Sequence, residues 1–90
     1  MRDEEFEWDD GKASRNLRDH DVSFELARRA FGDPNWLDVE DPDPDEERWH
    51  RICRLEGQIL VVVYTERGRR ARIISARRAE PHEQRRYLEQ

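Results

Sequence analysis

One cysteine in 90 residues excludes an intramolecular disulfide and fits a reducing compartment. Lysine is as scarce, with Lys12 alone among 17 basic residues. No apolar run approaches the ~20 residues that a membrane span needs, so no membrane partner is expected. The acidic opening, with Asp3, Glu4, Glu5 and Glu7, is the opposite of a basic signal-peptide start, and the expected location is cytoplasmic. The three histidines and Cys53 have no zinc-ligand spacing. Asp41-x-Asp43-x-Asp45 begins like a calcium loop, but Glu46 stands where Gly is needed and Ile52 where Glu is needed. Neither a metal nor any other cofactor is expected. Apolar residues are sparse at 34%, and charged ones reach 43%. That balance alone is compatible with disorder. Three Trp, three Phe, two Tyr and the Ile/Val runs are nevertheless clustered and periodic, which argues for one small folded domain over 1–90.

The net charge of −5 conceals a polarity. Residues 1–47 carry 6 Lys/Arg against 17 Asp/Glu, whereas residues 48–90 carry 11 Arg against 5 Glu. Net charge argues against a nucleic-acid partner, but the basic half argues for an anionic one. Arginine offers a planar fork of donors suited to phosphate or carboxylate, although a GC-rich genome also favours it.

Along the chain, Phe6-Glu7-Trp8 reads as a short strand. Asp9 or Asp10 caps a following helix whose Ala13, Leu17 and His20 share one face. Ser23 caps a second helix, with Phe24, Ala27 and Phe31 at helical spacing, stopped by Gly32 and Pro34. Residues 38–47, acidic with Pro42 and Pro44, read as a solvated connection, with a short strand near Trp36–Val39. Arg48–Leu55 alternates, turning Trp49, Cys53 and Leu55 inward against Arg48, His50 and Arg54. Ile59–Thr65 and Ala71–Ala76 form a hairpin, and Glu80-Pro81 opens a terminal helix. The expected class is α+β: a small antiparallel β-sheet meander, two N-terminal helices and a C-terminal helix, with the helices to one side.

That hairpin carries six arginines within a dozen positions: Arg67, Arg69, Arg70, Arg72, Arg77 and Arg78. A buried sheet face does not need them, so an anionic ligand or partner is the expected reason.

Several motifs together resemble the BrnT toxins. They are Phe6-x-Trp8-Asp9-x-x-Lys12-x-x-x-Asn16-x-x-x-His20, Ser23-Phe24-Glu25-x-Ala27, Phe31-x-Asp33-Pro34 and Glu47-Arg48. The longest is Val61-Val62-Val63-Tyr64-Thr65-x-Arg67-Gly68-x-x-x-Arg72-Ile73-Ile74-Ser75-Ala76-Arg77-x-Ala79, followed by Glu83, Arg86 and Tyr87. They span nearly the whole chain in order. The resemblance implies a RelE-like fold and a cytoplasmic ribonuclease that blocks translation. It also implies a BrnA-type ribbon-helix-helix antitoxin, assembled with the toxin as a heterotetramer that reaches operator DNA only through the antitoxin. Two departures stand out. Asp21 occupies a position where the family commonly has Gly, so a different helix end is expected. The acidic 38–47 segment is also heavier than usual.

RNA cleavage without a metal requires a base for the 2′-hydroxyl, cations for the charge developing on phosphorus, and an acid for the 5′-oxygen. Arg72 and Arg77 are candidates for the cations, with salt bridging as the alternative. Five positions apart, they point to opposite faces of a regular strand and act together only if the strand ends or bulges near Ala76. Arg72 is expected to share a face with Tyr64 if the hairpin pairs those two positions, a register that the sequence does not fix. Glu66, among arginines, is a candidate base or a structural partner for one of them. His20 is a candidate for acid–base work or a half-buried helix-end residue; His50 and His82 have less claim. Tyr64 and Tyr87 are candidates for base stacking, with Tyr87 the freer and Tyr64 equally able to pack in the sheet. Arg78, Lys12 and Arg48 are candidate phosphate contacts or surface charge.

Two further functional classes remain open beside the nuclease. One is a degenerate toxin retained as an antitoxin-binding or corepressor module. The other is a basic RNA-binding domain with salt-sensitive affinity and no toxicity.

Overall fold

The computed structural model describes residues 1–43 and 45–90; Pro44, assigned above to the acidic connection, lies outside the described residues. In chain order the elements are β1 (Phe6–Glu7), α1 (Asp10–His20), α2 (Phe24–Phe31), β2 (Leu37–Glu40), β3 (Trp49–Leu55), β4 (Gln58–Arg67), β5 (Arg70–Arg78) and α3 (Pro81–Leu88).

Local chemistry explains the helix ends. Asp9 Oδ2 accepts from the Lys12 N–H at 2.8 Å, and Ser23 Oγ accepts from the Leu26 N–H at 3.0 Å. Pro81 begins α3, where Glu80 and Glu83 form a capping box. Asp21 does what a glycine would do: at φ 56° and ψ 33° it is left-handed, and its N–H closes on Leu17 O. Gly32 ends α2 at φ −83°, so its conformational freedom is not used there.

Four strands form the expected antiparallel meander, but β1 lies parallel to β5, which makes the sheet mixed, in the order β1-β5-β4-β3-β2. The partners Phe6 and Ala71 are far apart in sequence, so no turn signal announces that pairing. The helices also do not lie to one side. Phe24, Ala27 and Ala30 of α2 pack with Leu60, Val62 and Cys53, whereas Tyr87 of α3 packs with Val61 and Ile52. Alternate β4 residues thus enter different cores, and the strand is buried on both faces, as an uninterrupted Ile/Leu/Val run requires.

The inward stripe of α1 differs from the expected one. His20 is exposed and Leu17 is 49% exposed; the buried residue is Asn16. Its amide donates to Val22 O and Ala76 O at 2.8 Å and accepts from the Ala76 N–H at 3.1 Å. Strand β1 covers β5 only at Ala71 and Arg72, so the outer edge of β5 at Ala76 needs another partner. The Asn16 side chain supplies both halves of a backbone pair.

Candidate functional site

The strand pairings decide which face each arginine occupies. Arg67 pairs Arg70 around the two-residue turn Gly68–Arg69, with Gly68 at φ 61°. That turn puts Tyr64 opposite Ile73 and Thr65 opposite Arg72, so Arg72 does not share a face with Tyr64. The register then slips: Val63 faces Ser75 and Tyr64 faces Ile73, which leaves Ile74 as an extra residue in β5. This bulge reverses the alternation. Arg72 and Arg77 oppose Thr65 and Val61, an even step apart on β4, and therefore stand on the same face.

This is the α3 face of the sheet, and α3 covers only part of it. At one end Arg72 Nη1 reaches Glu7 Oε2 at 2.8 Å, on the neighbouring β1. Asp9, whose carboxyl is lowered first by the Lys12 N–H, also feels the charges of Arg15, Lys12 and Arg72. At the other end Arg77 holds Glu83 with two hydrogen bonds, at 2.7 and 2.9 Å. The guanidinium keeps the Glu83 carboxyl below its ordinary range, and Glu83 in turn raises Arg77.

Between the two arginines runs the cross-strand row Val39, His50, Val63 and Ser75. His50 Nε2 lies 2.7 Å from Asp41 Oδ2. The Asp41 carboxyl is lowered, first by the Asp43 N–H and then by His50. Val39, His50, Ile52, His82, Glu83 and Arg86 line a cavity of about 100 Å³ between α3 and the sheet. Sequence reasoning gave His50 less claim than His20. The alternation of β3 had set His50 on the polar face, and the register makes that face the one bearing Arg72 and Arg77.

The other candidates disperse. Tyr64 and Arg78, with cross-strand partners Ile73 and Leu60, belong to the α1/α2 face; Glu66 follows Tyr64 there by alternation. His20 sits at the exposed end of α1, beyond the same face. Tyr64 is 4% exposed; its hydroxyl donates to Asp38 at 2.6 Å, and its ring meets the Phe31 ring edge-on. Burial pushes its hydroxyl pKa up, with Asp38 adding to the shift. Tyr87 is buried as well: it is 6% exposed, donates to Asp33 at 2.6 Å, and burial takes its hydroxyl to about 12. Asp33 also accepts the Arg54 and Asn35 N–H groups, so it ties α3 to the start of the α2–β2 connection. Arg48 is paired with Asp43, and its Nε has no hydrogen-bond partner among the described residues. Glu66 is exposed and takes part in none of the ion pairs found among the described residues.

Arg51 went unnoticed in the sequence. Its guanidinium lies between the Phe31 and Trp36 rings, 3.9 and 4.0 Å from their centroids, and binds Asp38 at 2.8 and 3.0 Å. Burial opposes its charge, but Asp38 more than compensates and raises its pKa. Alternation in β3 predicts an inward side chain at this position, and an inward Arg signals a partner acid. Glu80, His82 and Glu83 bring ligand atoms within 4.8 Å of one another. The Glu83 carboxylate is already bonded to Arg77 and the Glu80 N–H, so helix capping accounts for its position. Cys53 is buried, which pushes its thiol up to about 12 and makes it inert at neutral pH.

Fold and site together define a small α+β domain with two arginines aligned on one partly open sheet face. The family pattern described as the ribonuclease toxin BrnT of type II toxin-antitoxin systems matches residues 8–83, and the chain belongs to that family. Membership implies an antitoxin protein partner. No curated protein sequence matches the chain at a significant level. Among the described residues, no helix is long and apolar enough to cross a membrane.

Proposed function

We propose that this protein is a metal-independent endoribonuclease, RelE-like in fold, that inhibits translation by cutting RNA in the cytoplasm. The observation that carries the reading is the Ile74 bulge, which brings Arg72 and Arg77 to one face. On that face the two guanidiniums flank a bound RNA backbone and stabilise the charge that develops on phosphorus; Lys12 adds positive charge. Glu66, His20, Tyr64 and Arg78 fall outside this arrangement. The neutralising partner is a BrnA-type ribbon-helix-helix antitoxin. It forms a heterotetramer with the toxin and carries all contact with operator DNA.

The test is cleavage of a single-stranded RNA oligonucleotide by purified protein, with and without excess EDTA. Cleavage is expected to survive EDTA and to fall at least about 100-fold in Arg72→Ala. Persistence of full activity in both Arg72→Ala and Arg77→Ala refutes the role of the arginines. Expression alone should arrest growth, and co-expression of the adjacent antitoxin should relieve it.

One observation favours a second reading. Both arginines are already paired to carboxylates, Glu7 and Glu83. A degenerate toxin kept as an antitoxin-binding or corepressor module would look like this. It predicts tight antitoxin binding and no RNA cleavage at any enzyme ratio.

A further inference from the structure

The ribonuclease reading leaves proton transfer unassigned, because its two sequence candidates, Glu66 and His20, do not share the arginine face. We propose that His50 is the base that takes the 2′-hydroxyl proton, and that Asp41 is the residue that positions it. The inference rests on the ribonuclease reading and deepens it.

Geometry carries the proposal. His50 stands in the row Val39–His50–Val63–Ser75, between the levels of Arg72 and Arg77 on the same face. Two strand spacings, roughly 10 Å, separate its backbone from that of Ser75, a span that two long arginines and a nucleotide can bridge. Asp41 engages Nε2, leaving Nδ1 as the working nitrogen. Nδ1 makes no hydrogen bond among the described residues, and it is not sealed from solvent. The ring lines the cavity beneath α3 together with Glu83, the carboxylate that Arg77 grips. Glu83 thus links the cavity that His50 lines to the Arg77 guanidinium.

Asp41 gives the pairing its direction. An ionised carboxylate on Nε2 selects the tautomer with the proton there, turns Nδ1 into an acceptor, and stabilises the imidazolium that forms. The groups facing His50 are Asp41, with Asp43 and Arg48 beside it, Val63 and Ser75 on the sheet, and His82, Glu83 and Arg86 on α3. Arg72 and Arg77 lie at either end.

The step balances without a co-reactant. The 2′ O–H bond breaks and its proton goes to Nδ1. The 2′-oxygen bonds to phosphorus, the bond from phosphorus to the 5′-oxygen breaks, and that oxygen takes a proton from water. The products are a 2′,3′-cyclic phosphate and a 5′-hydroxyl. The imidazolium then returns its proton to solvent.

The experiment measures cleavage of a single-stranded RNA oligonucleotide across pH by the full-length protein and three variants. His50→Gln is expected to lose about 100- to 10,000-fold in rate and to erase an inflection present in the wild-type profile. Asp41→Asn should lower kcat while leaving KM in place, because the ring loses the carboxylate that fixes its tautomer and orientation; a purely structural Asp41 would leave kcat in place. His50→Ala should regain cleavage when free imidazole is added, which no folding defect allows. Wild-type rates in His50→Gln, or a loss in His50→Ala that imidazole leaves untouched, overturn the assignment. Failure of the wild type itself to cut RNA overturns the ribonuclease reading, and this assignment with it. A cutting wild type with an equally active His50→Gln overturns the assignment alone.

Discussion

Removing the Arg77 side chain should destabilise the protein, and the size of the loss should depend on pH. Arg77→Ala deletes two hydrogen bonds to Glu83, a residue 9% exposed at the third position of α3. Charge-assisted bonds of this kind contribute ~1.5–3 kcal/mol each in sheltered settings. The Arg77 side chain is 31% exposed, so solvent screening applies. Discounted for it, the pair contributes about 1–2 kcal/mol in all. A domain of this size shifts its Tm by about 4–8 °C per kcal/mol, so the variant should melt roughly 5–15 °C lower at neutral pH. The pH dependence follows from Glu83, whose folded pKa lies below its ordinary 4.5. The stabilisation is therefore complete above the unfolded value and is lost as pH falls through the folded one. Urea denaturation of both proteins in steps from pH 7 downward should show their stabilities converging in that acid window. In a Glu83→Gln background, which keeps the packing and removes the charge, Arg77→Ala should cost less at neutral pH and show no such acid convergence. Equal stability of Arg77→Ala and wild type at pH 7 would refute the reasoning, as would a gap that persists unchanged into acid. The same measurement separates the structural share of Arg77 from the part proposed for it in RNA cleavage.

Asn16→Ala strips three hydrogen bonds from buried backbone groups and should cost about 2–4 kcal/mol, read by chemical denaturation. Asp21→Gly relieves a left-handed Asp at φ 56° and removes an anion from a helix C-terminus; it should stabilise by about 0.5–1 kcal/mol in the same assay. Arg51→Lys keeps the charge but loses the double bond to Asp38 and the fit between Phe31 and Trp36, and should cost about 1–3 kcal/mol. Quenching of Trp36 fluorescence by iodide should rise in that variant, because its ring loses the guanidinium cover.

Features set by neighbours in sequence were legible. The caps at Asp9 and Ser23 and the Glu80-Pro81 start of α3 act over three or four residues, and both hairpins close on turns whose glycines announce them. What failed depends on distant partners. The Ile59–Val63 run lacks alternation and so carried a sign of two-sided burial, but nothing near it shows that α3 supplies the second cover. Apolar counting placed Leu17 and His20 on the inner stripe of α1; the true inner residue, Asn16, is polar because it completes the backbone of β5. The facing of Arg72 turned on one residue of register, since a two-residue turn at Gly68–Arg69 and a three-residue turn give opposite faces. Whether Arg72 and Arg77 align was conditional on a bulge, and Ile74 has no local mark of being one. The site was therefore readable as a set of residue types and unreadable as a geometry.

The parallel pairing of β1 with β5 has a consequence for the order of synthesis. Phe6 and Glu7 wait for Ala71 and Arg72, which leave the ribosome long after them. Until then the first strand has no edge to join, and Glu7 has no cation to meet. The β3–β4–β5 meander can form by itself from adjacent strands, whereas docking of the N-terminal strand must follow closure of a long loop. The rim of the arginine face is consequently among the last parts of the molecule to be finished. A nascent chain carries its basic residues without their arrangement until β5 has emerged.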